Sequence, residues 1–175
     1  MARLLLLVLL FTSLGLSGNR ALAQAPDGLP PRPAPFRFVN DQAQLLAPAD
    51  AKKLEGGLRR YADNTGTQVV VVTVPSLGGR DVADYGRALG TAWGVGQRDK
   101  NNGVVVLVSA QEHKVTVQAG SGLKSSITPE VTRRIIAQMT PSFKQGCIIS
   151  LNKKMRLPGF SSIVLNAISI AFSTP

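Results

Sequence analysis

Two β-branched runs, Thr67 to Val74 (TQVVVVTV) and Gly103 to Val108 (GVVVLV), constrain this chain more than any other feature. A strand with one wet face alternates apolar and polar side chains, whereas an unbroken apolar run is the pattern of a strand buried on both faces. Pro75 and Gly78-Gly79 end the first run, and Ser109 to His113 makes a turn after the second. The KVTVQAG that follows, Lys114 to Gly120, alternates, as expected of a hairpin partner at the sheet edge.

Around these strands the pattern takes a helical period. From Pro48 the segment PADAKKLEGGLRRYADNTG puts Leu54, Leu58, Tyr61 and Ala62 on one face and Lys52, Lys53, Arg59 and Arg60 on the other. Pro48 suits a first helical turn and Gly66 an end. Gly56-Gly57 weakens this helix by about 1 kcal/mol per glycine relative to alanine, so it needs tertiary packing. Asp81 starts a second helix, DVADYGRALGTAW, with Val82, Tyr85, Leu89 and Trp93 on one face, stopped by Gly94 and Gly96. Thr128 caps a third, with Pro129 at its first position, Glu130 in its first turn, and Ile135, Ile136, Met139 and Phe143 on its buried side. Phe36 to Val39 reads as a short strand-like segment that Asn40-Asp41 breaks. The order β-α-β-α-β-β-α predicts a small α/β sandwich with partly parallel strands.

The flanks have another character. Residues 1–23 carry a positive start, an apolar run from Leu4 to Leu16 that is short for a membrane span, and Ala21-Leu22-Ala23, the pattern of a cleaved secretory signal. Residues 24–35, QAPDGLPPRPAP, read as an extended linker. The formal charge is +10; removing residues 1–23 takes away Arg3 and Arg20 and no acid, leaving +8. A basic exported domain is suited to an anionic membrane or cell-wall surface rather than to nucleic acid. Cys147 is the only cysteine, which excludes an intramolecular disulfide and a cysteine zinc site. The tail, 147–175, mixes a basic patch, a Pro-Gly break and an apolar run, and reads as a core helix, an interfacial segment or a shifted reading frame.

The segment WGVGQRDKNNGVVVLVS, Trp93 to Ser109, is the natural place to look for chemistry. Gly94 and Gly96 give G-x-G, but Asp99 stands where a dinucleotide fingerprint needs its third glycine. The loop also follows a helix and feeds a strand, the reverse of a phosphate cradle, so no nucleotide is expected. His113, the single histidine, sits in the hairpin turn with no nucleophile elbow, which argues against a conventional hydrolase triad. Oxygen ligation remains. Asp99, Asn101 and Asn102 precede one strand, and Gly120-Ser121-Gly122 follow its antiparallel neighbour, so the two loops meet at one end of the sheet, with Thr128 and Glu130 at the next helix start. Such donors suit calcium or magnesium; the competing reading is that Asp and Asn stand there as turn formers. The opposite end offers Asp41, Ser76, Asp81 and Asp84, where Asp81 reads as an N-cap and Asp84 as first-turn charge.

Taken together, FVNDQAQLLAPADAKKLEGGLRRYADNTGTQVVVVTVPSLGG, DVADYGRALGTAWGVGQRDKNNGVVVLVS and KVTVQAGSGLKSSITPEVTRRIIAQMTPSFKQG resemble the TPM domain. The resemblance runs from Phe38 to Gly146 and rests on V-N-D, W-G-x-G, N-N-G before a valine run, and G-x-G-L. It implies a domain over 36–146, a three-layer α/β/α sandwich on a small Rossmann-like mixed sheet of about four strands. Members occur in thylakoid-lumen photosystem repair proteins and in many exported bacterial proteins. The family is linked to divalent-cation binding, to acid phosphatase activity in plants, and to assembly or repair of membrane protein complexes. Its acidic positions map onto Asp41 of V-N-D and onto the loop before the second buried strand. That loop often carries D-N-G, and here Asn102 is taken in the aspartate's place. Near the following helix start, where relatives often have an aspartate, this chain has Pro129 with Glu130 beside it.

The resemblance thus points to Asp41, Asp99, Asn102 and Glu130 as oxygen donors for Ca2+ or Mg2+. Three functions are expected from it and from the charge. The first is an exported, non-catalytic accessory module, periplasmic or extracellular, that supports membrane protein complexes. The second is a metal-dependent acid phosphatase in which Asp99 and Asn102 hold the metal and a bound water attacks. The third is a peripheral domain for an anionic membrane or cell wall.

Overall fold

The computed structural model describes residues 28–137 and 164–166. The expected signal segment, and the tail apart from 164–166, lie outside the described residues. The chain runs through β1 (Val39–Asp41), α1 (Pro48–Thr65), β2 (Gln68–Val74), α2 (Val82–Trp93), β3 (Gly103–Ser109), β4 (Lys114–Ala119) and a single 3-10 turn (Ser121–Leu123). Helical residues 129–137 follow as α3.

The sheet order is β1-β2-β3-β4, with β1, β2 and β3 parallel and β4 antiparallel to β3. The register explains the unbroken apolar runs. Val69, Val71, Val104, Val106, Val108 and Val117 point to one face, where Leu54 and Leu58 of α1 and Ile135 of α3 cover them. Val70, Val72, Val74, Val105 and Leu107 point to the other, against Tyr85, Leu89 and Trp93 of α2. Every second side chain serves a different core, so no position in the two central strands is left for a polar face. The result is the expected three-layer α/β/α sandwich. Both parallel crossovers step the same way across the sheet yet place their helices on opposite faces. They are therefore of opposite hand, and one departs from the usual right-handed rule.

The helix ends follow the capping signals. α1 begins with proline in its first turn and closes on Gly66 in the left-handed region, φ 71. The Asp81 carboxylate accepts from the Ala83 and Asp84 amides and Gly94 closes α2; those bonds, that to Asp84 foremost, hold its pKa below the ordinary aspartate value. Thr128 Oγ1 accepts from the Val131 amide at 3.3 Å, as an N-cap should.

Three features depart from the sequence pattern. The first strand is Val39–Asp41 rather than Phe36 to Val39. Asn40 and Asp41 do not break it, because they pair with Val72 and Thr73 of β2 while the Asp41 carboxylate turns the chain that follows. Within the segment that reads as a linker, Leu29 is docked: it is 3% exposed within the α2-side core. The Trp93 indole N–H donates to the Pro30 carbonyl at 2.9 Å, which supplies the acceptor a buried indole needs. Finally, Gly57 receives the tail. A methyl there would sit 2.6 Å from the Leu165 Cδ2, and Val164 is 1% exposed in the core cluster that holds Leu54 and Leu58.

If the 28–35 segment is part of the folded unit, Leu29→Ala costs about 2 kcal/mol in urea unfolding, the low end for a buried leucine. A freely moving linker would leave the unfolding midpoint unchanged.

Candidate functional site

The two ends of the sheet carry different chemistry. At the amino end of β3 the main chain packs against itself. A methyl at Gly103 would lie 2.1 Å from the Val95 carbonyl oxygen, at Gly120 2.0 Å from that of Asn101, and at Gly122 1.9 Å from that of Lys100. No Cβ fits at such distances, so the W-G-x-G, N-N-G and G-x-G stretches form one steric interlock. Gly120 N–H donates to the Gly103 carbonyl at 2.8 Å and Gly122 N–H to that of Asn101 at 3.2 Å.

Asn102, 8% exposed, is the polar pin of this interlock. Its Oδ1 accepts from the Gln97 amide at 2.9 Å, and its Nδ2 donates to the Gly66 carbonyl at 3.0 Å and to Gln97 Oε1 at 3.3 Å. One side chain thereby ties the β3 loop to the end of α1. The amide needs both a donor and an acceptor there, and its Oδ1 is turned into the loop rather than toward a ligand. Set against D-N-G by its glycine, N-N-G puts Asn101, not Asn102, opposite the aspartate. Asn101 is exposed with φ 46, a conformation that Asn and Asp tolerate.

The other expected donors do not gather around it. Asp99 is exposed between Arg98 and Lys100. Glu130 is solvent-facing and pairs with Arg133 one turn along α3. Asp41 lies at the carboxyl end of β1, the opposite end of the sheet from Asp99 and Asn102. Among the described residues no three His, Cys, Asp or Glu side chains converge as a metal site would require.

At the carboxyl end, two carboxylates are bound by the fold itself. Asp41 accepts from the Leu45 and Leu46 amides, each at 2.9 Å, and from the Thr73 hydroxyl. Thr73 Oγ1 in turn accepts from the Ala43 amide at 3.1 Å. Glu112 accepts from Ser76 Oγ at 2.8 Å, from the Leu77 amide at 3.0 Å and from Ser109 Oγ. The Ser109 hydroxyl foremost, then the Leu77 amide, holds the Glu112 carboxyl down at about 2. No motif in the sequence singles out Glu112. Its available signal was the serine that ends β3 beside Val74, three residues before it. His113 is exposed in the hairpin with φ 51. Beside it, a depression of about 420 Å³ is lined by the neutral amides Gln42, Gln44 and Gln111.

A larger groove, of about 630 Å³, lies between α2 and the amino end of β3, with Arg32, Arg87 and Arg98 on its walls. It holds no carboxylate among its lining residues. This groove is therefore cationic rather than acidic.

An α/β/α sandwich with a mixed sheet and glycine-interlocked loops at one sheet end is the class these features define. The chain belongs to the TPM domain family, which matches it over residues 39–148. It is similar to the N-terminal domain of a P. gingivalis protein solved by NMR, at 26% identity and TM-score 0.62, covering 77% of this chain and 79% of that one. The N-terminal domain of cg2496 from Corynebacterium glutamicum shares the fold at 14% identity and TM-score 0.56, over 79% and 80% of the two chains. BA42 from the psychrophilic Bizionia argentinensis does so at 18% identity and TM-score 0.55, over 73% and 83%. The comparison with curated proteins finds no match.

Two outcomes follow from the bonding. Asn102→Asp removes both donated bonds and sets a carboxylate against the Gly66 carbonyl, so it costs about 3 kcal/mol in urea unfolding, whereas Asn101→Asp stays within about 0.5 kcal/mol of the parent. Equal effects at the two positions would refute the pinning role. Glu112 has a depressed folded pKa, so its stabilisation is fully present above its ordinary value of 4.5 and is lost as pH falls through about 2. Thermal midpoints of Glu112→Gln measured from pH 6 to pH 2 should accordingly fall less steeply than those of the parent. Parallel curves would remove Glu112 from the acid response.

Proposed function

We infer that this TPM domain is a non-catalytic accessory module, working outside the cytoplasm to support the assembly, repair or maintenance of membrane-associated proteins. The observation that carries the reading is the state of its carboxylates. Asp41, Asp81 and Glu112 are each bound by main-chain amides of the segments they organise. A general acid, base or metal ligand needs electron pairs directed at a substrate, and these are directed at the fold. Binding, not turnover, is what such a surface offers. The outer face of α1 adds exposed Lys52, Lys53 and Arg60, a basic strip suited to an anionic membrane or cell-wall polymer.

Cation binding fits this reading only as a weak property. A calcium or magnesium ion at the β3 loop has Asp99 as its carboxylate, flanked by Arg98 and Lys100, since Asn102 is engaged with Gln97 and Gly66. Few ligand charges place such a site at a Kd of about 10⁻⁴–10⁻³ M, the range of extracellular modules. The acid phosphatase reading draws on the family's plant members and requires the same ion to activate water beside Asp99.

Turnover of p-nitrophenyl phosphate with calcium or magnesium separates the two. The module reading expects the parent and Asp99→Ala to give the same background rate. Metal-dependent turnover that Asp99→Ala abolishes, with folding intact by circular dichroism, would establish the phosphatase instead.

A further inference from the structure

The groove between α2 and β3 has a construction that the scaffold alone does not require. Gly86, Gly90 and Gly94 recur at every fourth residue, so they form one row down α2. A methyl at Gly86 would come within 3.0 Å of the Gln118 and Thr116 side chains, and one at Gly90 within 3.1 Å of Val105 Cγ2. The space a methyl would take there is already filled by side chains of β3 and β4, so α2 packs closely on the sheet and contributes bare backbone to the groove lining. Three arginines from three separate segments also line it. Arg32 comes from the amino-terminal segment, where its guanidinium lies 5.2 Å above the Phe36 ring. Arg87 comes from α2 and is shared with Asp84, and Arg98 comes from the interlocked loop. Arg98 has no ion pair or hydrogen bond among the described residues.

Like charges brought together around a concavity repel one another, and a cleft lined by one sign concentrates ions of the other. The end of α2 opposes this with about half a negative charge. Three full guanidinium charges, one of them shared with Asp84, outweigh it. A guanidinium presents a planar fork of donors that matches the two oxygens of a phosphate or carboxylate. The groove volume of about 630 Å³ lies in the range of small-molecule sites. The glycine interlock also fixes the loop that carries Arg98, so its main chain is positioned before any ligand arrives.

We propose that the α2–β3 groove, through Arg32, Arg87 and Arg98, is a binding site for a small organic oxyanion bearing a phosphate or carboxylate group. The site rests on the reading of this domain as a binding module and gives that module a ligand class. It is distinct from the basic strip of α1, which faces outward on the other side of the sheet.

The test is ¹H–¹⁵N NMR of the full chain titrated with inorganic phosphate, pyrophosphate and citrate, and separately with vesicles containing phosphatidylglycerol. Saturable shifts confined to Gly90, Gly94, Gly96, Arg98 and Gly120 are expected. Arg98→Gln should weaken them about tenfold, the loss of one charge-assisted hydrogen-bonded contact, while Arg37→Gln, at an exposed arginine outside both the groove and the α1 strip, leaves them unchanged. Groove shifts with the soluble probes place the oxyanion on a free metabolite. Groove shifts with vesicles alone, again lost in Arg98→Gln, place it on a lipid headgroup. With the soluble probes, shifts spread over the basic residues, equal weakening by Arg37→Gln, or no groove shifts with any probe would each overturn the site. Because binding is read without turnover, these results stand apart from the phosphatase assay: a catalytic outcome there removes the module reading, and silence here removes only the groove.

Discussion

The architecture depends on a contact between stretches of bare main chain. At the amino end of β3 the Val95 carbonyl presses on Gly103, while the Lys100 and Asn101 carbonyls press on Gly122 and Gly120. This brings three connections to one point: the exit of α2, the entry to β3 and the exit of β4. Asn102 adds a fourth by bonding the end of α1 at Gly66. Helices on opposite faces of the sheet are thus held in one frame by main-chain contacts, to which Val95 and Leu123 add packing on the two cores. Hydrophobic burial is non-directional and sets the layers. The directional information comes from sterics and from one amide that must donate and accept at once.

The same division of labour appears at the carboxyl end. Thr73 is fully buried in β2, and its hydroxyl links the Asp41 carboxylate to the Ala43 amide. A threonine in an otherwise valine run would be a cost if its hydroxyl were unpaired. Here it turns the run's one polar interior into an anchor for the β1–α1 connection. Glu112 does the equivalent for the β2–α2 connection through Ser76 and Leu77. Each acid adds directional bonds to a loop that buried leucines, Leu45 and Leu46 in one and Leu77 in the other, already anchor to a core.

What the sequence disclosed and what it hid divide along physical lines. The central strands, the helix starts at Pro48 and Asp81, the stops at Gly66 and Gly94 and the Thr128 cap were legible, because period and capping are local properties of a few consecutive residues. Asn40-Asp41 read as a break because turn propensity is local too, while the parallel ladder to β2 that overrides it lies about thirty residues away. Leu29 was hidden for the same reason: nothing in a proline-rich stretch announces that Trp93 needs a carbonyl there. Asn102 reads from sequence as a candidate ligand, and its pinning role was hidden because its partners, Gln97 and Gly66, meet only in three dimensions. A donor-bearing side chain in a loop looks the same from sequence whether it faces solvent or its own backbone.

That ambiguity decides where a ligand can be sought. Open α/β sheets usually bind at the carboxyl ends of their strands. In this chain Asp41 and Glu112 at that edge are turned onto main-chain amides, and the depression left beside them is lined by glutamine amides and His113. Neutral amides offer weak discrimination against water, whose hydrogen bonds they already satisfy. At the amino edge the reverse holds. Bare α2 backbone lines the groove, no carboxylate is among its lining residues, and the loop that carries Arg98 is held by the interlock rather than by that guanidinium. A charged group that the fold does not use for itself is free to be used by something else, and in this groove that charge, on Arg98, is positive.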